Sequence, residues 1–525
     1  MHVQTKRLAS LCLLLVPVTV SGATAASPDL RLVDAMAEQN TTLVRALLKE
    51  GIDVNTARAD GATAVLWAAH WDDGEAAELL VRAGANVNAA DDHGVTPLAR
   101  ACENASASMV NRLLEAGADP NSAQANGLTP LMTAARTGNL DVVKALLSGG
   151  ANVNAATATT HETALMWAVA ERHLNIVRAL VENGADARPG PQQVISPLMA
   201  AAENGDIEAA KVLLAAGARV SDTGSDGTHL LTLAIVAGQS AFAHFLLDHG
   251  ADPNGAIDGV TALHAAAGPV GTWLQAFNRS HGGRRGRLKL NERLPLVNAL
   301  LARGADPNAR MTASEMMGQG HVRNGAYDTF TTGTGDVAGA TPLWVAAYGT
   351  NPGPGRQRSG WRMPNSNGEI LRSLLAAGAR PDITANDGAT TLMAAAGCGR
   401  TAHWTYTPRA LRQPMAEEAV EILVEAGVDV NATNEADFTA LHCAAFNGLN
   451  ELVQYFVERG ADINARDWRG RTPFRLAEGA KQSFHFQEWP EVATLLQELG
   501  ADTSLGIPGT VHERLGRLAA ATQSQ

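Results

Sequence analysis

The clearest alternation of apolar and polar positions lies at residues 127–154. After Thr129 and Pro130, small and branched apolar residues recur on one helical face, and a second apolar stripe runs from Val142 to Leu147. A threonine hydroxyl can cap the first helix, and proline suits its first position, where no amide donor is needed. Gly138 can end that helix in the left-handed conformation. The pattern predicts two short helices joined by a tight turn and followed by an extended turn.

Copies of this pattern follow one another along most of the chain. The openings of the copies after the first, half-degenerate one are Gly61, Gly94, Gly127, His161, Val194, Gly227, Gly259, Gly339, Gly388, Asp437 and Gly470. In the regular part these openings lie 32 to 34 residues apart. Helices of this length are unstable alone in water, so we expect each pair to stack on its neighbours. At Gly227 the motif has His229 where threonine belongs, which predicts a weaker helix cap.

The motifs resemble those of the ankyrin repeat. Thr-Pro-Leu stands at 96–98, 129–131 and 341–343, Thr-Ala-Leu-His at 261–264 and 439–442, and the closing Gly-Ala-Asp-x-Asn at 250–254. The resemblance covers about residues 29–505 and is shared with exported bacterial ankyrin-repeat proteins. It implies an all-α solenoid of about twelve repeats with short β-hairpin connectors and a protein partner, but no reaction. It also implies that His264 and His442 hydrogen-bond neighbouring backbone, and that Trp67 and Trp167 pack in the core.

The first residues have a different composition. Lys6 and Arg7 precede an apolar run over 8–20, and small residues follow at 23–25. This is the pattern of a secretory signal peptide cleaved near Ala25–Ala26, because the run is too short for a comfortable membrane span. An uncleaved anchor is the alternative. We expect a periplasmic or extracellular protein without membrane insertion after cleavage.

The predicted segments are then a signal peptide (1–25), an N-terminal capping repeat (26–60), regular repeats (61–258), repeats with long insertions (259–436), C-terminal repeats with their cap (437–505) and a polar tail (506–525). The net charge of −12 argues against nucleic-acid binding. Three cysteines outside the signal are too few for a disulfide framework. Cys102 and Cys443 are predicted to be buried thiols, and whether Cys398 is free stays open.

Insertions interrupt the regularity in repeats 8–10, whose openings span 80, 49 and 49 residues. In each repeat the extra residues enter after the first helix, following Ala267, Tyr348 and Ala396. Repeat 8 carries a further insertion in its hairpin, at 311–338. Since packed helices lie about 8–10 Å apart, the three insertions after first helices should lie side by side.

These insertions are basic and aromatic. Segments 268–293, 349–367 and 397–415 carry net charges of +5, +3 and +3, and each holds one tryptophan. Arginine with tryptophan suits anions, sugar rings and protein hot spots. The candidate binding residues are Trp273, Arg284, Arg285, Tyr348, Arg358, Trp361, Arg362, Arg400, His403, Trp404 and Arg409. The competing interpretation is that the loops are solvated and their arginines pair with the acidic body.

The leading hypothesis is a secreted scaffold that binds another protein through its concave groove and its insertions. By resemblance, further groove-facing positions are His70, Trp71, Glu103, Asn104, Arg136, Glu203, Asn204, Phe446 and Asn447. The alternative is a carbohydrate- or anion-binding module centred on the insertions. The sequence contains no zinc-binding His-Glu-x-x-His, phosphate loop or Gly-x-Ser-x-Gly elbow, so an enzyme is a remote third possibility and no cofactor, metal or catalytic residue is predicted.

Overall fold

The computed structural model describes residues 28–188, 190, 192–268, 270, 274, 288–312, 338–350, 356–357, 360–361, 367–398, 409–482 and 485–505, with the backbone alone at 356–357, 360–361, 409–412, 480–482 and 485–487. The chain divides into two compact units, residues 1–125 and 126–525. The described residues form twelve pairs of helices, which we number as repeats 1 to 12 in chain order. This confirms the predicted all-α repeat solenoid and its repeat number.

The first unit contains repeats 1 to 3. Their helices are Arg31–Ala37 and Thr41–Glu50, Ala64–His70 and Gly74–Arg82, and Pro97–Glu103 and Ala107–Glu115. Within this unit the first helix of repeat 2 packs against the first helices of repeats 1 and 3.

The second unit contains repeats 4 to 12. The helices of repeats 4 to 8 are Pro130–Thr137 and Leu140–Ser148, Ala164–Ala170 and Leu174–Glu182, Pro197–Asn204 and Ile207–Ala215, Leu230–Val236 and Ser240–Asp248, and Ala262–Ala267 and Leu290–Ala302. Those of repeats 9 to 12 are Pro342–Gly349 and Gly368–Ala376, Thr391–Ala395 and Arg409–Glu425, Ala440–Phe446 and Asn450–Glu458, and Pro473–Gly479 and Pro490–Glu498. Antiparallel strand pairs are Ala256–Ile257 with Val260–Thr261, Arg356–Gln357 with Gly360–Trp361, and Ala480–Gln482 with His485–Gln487.

The helix boundaries follow from the capping residues of the motif. The Thr129 hydroxyl accepts a hydrogen bond from the Met132 amide at 3.3 Å, and Pro130 occupies the first turn. Gly138 ends the helix with φ +89°, as its lack of a side chain permits. His229 makes no capping hydrogen bond, which confirms the weaker cap of repeat 7.

Asparagines of several hairpins tie one repeat to the next, including across the insertions. The Asn254 amide donates to the carbonyl of Gly304 at 3.1 Å, and its oxygen accepts from the Asp306 amide at 2.8 Å. Asn308 makes the same two bonds to Gly378 and Arg380, 70 and 72 residues further along the chain. Repeats 7, 8 and 9 are therefore direct neighbours in the stack. Of the first insertion, Val270 and Leu274 are described, and both are buried.

The core consists of small residues of the first helices and branched residues of the second helices. Leu146, for example, is fully buried, as are Ala134 and Ala135 of the same repeat. Close approach of the first helices requires such small side chains. None of the helices in the described part of the chain is long and apolar enough to cross a membrane.

Candidate functional site

The three insertions leave the stack from consecutive, packed first helices. The first helix of repeat 9 packs against the first helix of repeat 8 on one side and of repeat 10 on the other. The described chain leaves these helices at Gly268, Thr350 and Cys398. The structure thus brings the bases of the insertions together on one edge of the second unit, as the sequence predicted for that position. We call these three exit points and the residues that hold them the insertion base.

At the first exit, Gly268 lies directly against the backbone of repeat 9. A Cβ atom at Gly268 would lie 2.7 Å from the carbonyl oxygen of Val345, closer than real Cβ contacts allow. Only glycine permits this approach without displacing the neighbouring helix. The first insertion therefore begins in contact with the helix from which the second one leaves.

A buried arginine joins the first exit to the second. The Arg293 side chain donates from Nε to the Ala266 carbonyl at 3.0 Å, from Nη2 to the Ala267 carbonyl, and from Nη1 to Asn367 Oδ1 at 3.2 Å. Asn367 in turn donates to the Ala346 carbonyl at 2.8 Å. The two side chains satisfy the carbonyls left open at the ends of two first helices. They also fix the spacing between the two exits.

At the third exit, a disulfide joins Cys398 to Cys443 of repeat 11. Their Cα atoms are 5.1 Å apart, and both residues are buried. The prediction of a buried thiol at Cys443 is therefore wrong, since residues 45 positions apart in sequence meet across two stacked first helices. Asn447 adds a hydrogen bond to the Gly397 carbonyl at 3.2 Å. The base of the third insertion is covalently held.

Most predicted binding residues lie outside the described residues. These are Trp273, Arg284, Arg285, Arg358, Arg362, Arg400, His403 and Trp404. Tyr348 is half-buried at the end of its helix, and its ring stacks on that of Trp344 at 5.2 Å. Trp361 lies in a two-residue strand, with Arg356 opposite it in the antiparallel register. The second insertion thus contains a short hairpin.

The predicted boundaries of two insertions need correction. The second helix of repeat 8 already begins at Leu290, and that of repeat 10 begins at Arg409. Each is longer than the nine-residue second helix of repeat 4. Part of the extra sequence therefore extends second helices instead of forming loops. Arg409 opens a helix, and Arg293 is buried in one.

Several predicted groove positions also differ. Phe446 and Asn447 are both buried. The Asn447 side chain is turned inward and donates to the carbonyls of Gly397 and Cys443. Conversely, Trp67 and Trp167 are only half-buried, and the guanidinium groups of Arg58 and Arg136 lie 5.4 and 5.5 Å from their ring centroids. The predicted core packing of these two indoles is therefore only partial, whereas Trp344 in the first helix of repeat 9 is fully buried.

The motif histidines have the structural role that the resemblance implied. His264 Nε2 donates to the Ala340 carbonyl at 3.0 Å, and His442 Nε2 donates to that of Arg471 at 3.2 Å. Burial lowers the pKa of each to about 4, so both are neutral at pH 7. Cys102 is buried, as predicted, and burial raises the pKa of its thiol to about 12. In the described ranges no cluster of His, Cys, Asp and Glu is placed to hold a metal ion.

The second helices of repeats 10 to 12 present an acidic surface. Grooves of about 550 and 250 Å³ between them are lined by Glu417, Glu421, Glu451, Glu458, Glu491 and Glu498, among other residues. Partial burial, with the nearby charges of Glu451 and Glu421, raises the pKa of Glu417. These second helices thus place six glutamates along neighbouring grooves.

The stacked helix pairs and their Thr-Pro-Leu and Thr-Ala-Leu-His caps define a helical-repeat protein of the kind that uses its surface for binding. Models of ankyrin repeats match residues 32–124, 108–189, 196–271, 363–467 and 409–503, with a further match at 165–214. Together these matches cover more than half of the chain. The chain therefore belongs to the ankyrin-repeat family, whose repeats generally mediate protein–protein interaction and whose members are typically non-enzymatic scaffolds.

The matches to known proteins described here each cover less than half of this chain. A serine/threonine-protein kinase 12 of Arabidopsis thaliana is 39% identical over 57 residues, which are 11% of this chain and 12% of the kinase. The transient receptor potential cation channel subfamily A member 1 homolog of Caenorhabditis elegans is 30% identical over 142 residues, 26% of this chain and 11% of that protein. The human ASB11 ankyrin repeat domain aligns with a TM-score of 0.36 at 27% identity, covering 42% of this chain and 98% of that domain.

Proposed function

We propose that this chain is an exported ankyrin scaffold that binds a protein partner through the insertions of repeats 8 to 10. The observation that carries the proposal is the insertion base. Three segments that the stack does not need leave it from adjacent helices, and each exit is held by a specific contact. Solvated loops without a binding role would not require Arg293, Asn367 and a disulfide to hold them in register.

Charge and residue type favour a protein partner with an acidic or ring-bearing surface. The segments between the paired helices of repeats 8 to 10, residues 269–288, 351–366 and 399–408, carry +8 in total on a chain of net charge −12. Arginine offers a planar fork for carboxylates, and tryptophan supplies large contact area at low entropy cost. The same chemistry suits a sugar or a small anion, which remains the second candidate for these residues.

Export is part of the proposal and has two supports. The first is the signal-like pattern of residues 1–25, and the second is the Cys398–Cys443 disulfide, which is typical of an oxidising compartment. Terminal sequencing of protein recovered from the host's envelope or medium should give a chain that begins near Ala26. An intact Met1 on cytosolic protein would contradict export.

The partner class can be tested with the mature protein as bait. Affinity capture from the native host's envelope fraction, beside an array of glycans and simple anions, separates the two candidates. A captured protein with a blank array supports the proposal. If the array shows specific binding and no protein is captured, the result supports the carbohydrate or anion alternative.

We predict that alanine at Trp273, Trp361 or Trp404 weakens binding of the captured partner by on the order of 1–3 kcal/mol each, as for central hot-spot residues. We expect the melting temperature to change little, since repeats 4 to 7 stack without such insertions. Alanine at Arg284, Arg285, Arg358, Arg362, Arg400 or Arg409 should weaken binding in the same direction. Isothermal titration calorimetry and thermal unfolding of each variant supply both readouts.

Trp468→Ala is the matched control, because Trp468 is an exposed tryptophan on the hairpin of repeat 11. It should leave binding unchanged. If binding survives all three insertion replacements, or falls equally with the control, the insertions are not the binding site.

A further inference from the structure

A group of aromatic side chains lies at the end of the first helix of repeat 2, far along the sequence from the insertions. Trp67 and Trp71 stack with ring centroids 6.1 Å apart and an interplanar angle of 24°. His70 meets Trp67 edge-on at 5.4 Å and Trp71 at 4.6 Å. Trp71 is nevertheless 40% exposed, so the group holds its ring rigidly while leaving much of it open to solvent.

The surroundings of Trp71 are acidic. Asp72 follows it directly, is exposed and, within the described residues, forms no ion pair. Glu103, at the end of the neighbouring helix of repeat 3, is bonded to Arg100 at 2.8 Å. The nearby guanidinium of Arg58 is held by Asp34 at 2.6 Å.

Several other aromatic rings of this chain are covered by arginine side chains. Within the described residues, arginines of the chain itself lie over Trp67, Trp167, Tyr455, Trp468 and Phe474, at 4.7 to 5.5 Å from the ring centroids. A guanidinium over an indole face is attracted by the ring's quadrupole. Trp71 is exposed and is followed directly by the exposed Asp72, yet none of the described arginines lies over its ring.

From this arrangement we propose that Trp71, with Asp72, is a binding site for an arginine side chain of a protein partner. The guanidinium stacks on the open part of the indole, and the Asp72 carboxylate neutralises its charge and accepts its N–H groups. The backing by Trp67 and His70 keeps the ring in place before binding, which lowers the entropy lost on binding. This site lies in the first unit and is independent of the insertions.

The test uses the mature full-length chain labelled with 5-fluorotryptophan. The Trp71→Phe variant identifies the ¹⁹F resonance of Trp71 among those of the other tryptophans. The probe is the capped tripeptide Gly-Arg-Gly, and its neutral counterpart carries citrulline in place of arginine. We expect the arginine peptide to shift the Trp71 resonance in a saturable way and the citrulline peptide to leave it unchanged. Equal shifts with both peptides, or with neither, overturn the proposal.

A second comparison tests the Asp72 carboxylate. Asp72→Asn should raise the Kd of the arginine peptide, measured at the Trp71 resonance, by about two- to fivefold, as for an exposed ion pair. Glu115→Gln removes the same charge from an exposed residue at the end of a second helix and should leave the Kd unchanged. Equal effects of the two substitutions would show that only the net charge matters, which also overturns the site.

Discussion

Replacing Leu146 by aspartate is expected to destabilise its repeat by about 5 kcal/mol, because the change removes a large apolar side chain and buries an unpaired carboxylate. Leu146 is fully buried in the second helix of repeat 4. In a repeat protein each unit contacts only its neighbours, so the loss should be local. Hydrogen exchange followed by mass spectrometry should show faster exchange in repeats 4 and 5 than in repeat 11.

Ser148→Asp is the matched control for this prediction. Ser148 ends the same helix and is exposed, so the same new carboxylate remains in water there. Its effect on the free energy of unfolding should stay within about 0.5 kcal/mol. Exchange that accelerates equally in repeats 4 and 11 of Leu146→Asp would contradict the repeat account of the fold.

Loss of the Cys398–Cys443 disulfide should cost about 4 kcal/mol, the value expected for a cross-link that closes a loop of this length in the unfolded chain. The two cysteines are separated by 45 residues. We expect the double variant Cys398→Ala with Cys443→Ala to unfold at lower denaturant concentration. The first amides to lose protection should be those of repeats 10 and 11.

Cys102→Ala provides the control, since Cys102 is a buried cysteine of the first unit that is not part of the disulfide. Thiol titration of the unfolded mature chain should find one free cysteine before reduction and three after it. Three free thiols before reduction in exported material, or equal stability of the double variant and the parent, would refute the disulfide.

The sequence was sufficient for the fold because its signals are local and repeated. Thr129, Gly138 and the stripe ending at Leu147 set the boundaries of one helix pair. The other eleven repeats carry versions of the same pattern. The extra hairpin Ala480–Gln487 in repeat 12 was missed for a simple reason. The insertions were found from the distance between successive openings, and no opening follows Gly470. The distance from Gly470 to the closing Gly500, longer than that from Gly127 to Gly150, would have shown it.

The contacts that hold the insertion base could not be predicted in the same way. Arg293 and Asn367 are 74 residues apart, and Cys398 and Cys443 meet only because two first helices stack. Arginine in a basic segment is read as exposed, yet Arg293 is buried because it satisfies helix-end carbonyls. Local patterns carry no signal for such long-range pairing.

The central claim, that the insertions bind the partner and the repeats only carry them, is tested most directly by excision. Residues 275–287, 351–366 and 399–408 would each be replaced by the two-residue turn Gly-Asn of repeat 4, and Trp273 would be changed to Ala. The buried Val270 and Leu274, Arg293, Asn367 and both cysteines stay in place. The control chain loses residues 480–487 of repeat 12, an interhelix insertion without tryptophan or arginine. Binding of the partner captured by the intact chain is then measured by calorimetry, with circular dichroism to confirm folding. We predict that the triple excision folds but loses the partner, while the control keeps it; a folded triple excision that binds with unchanged affinity would contradict the account.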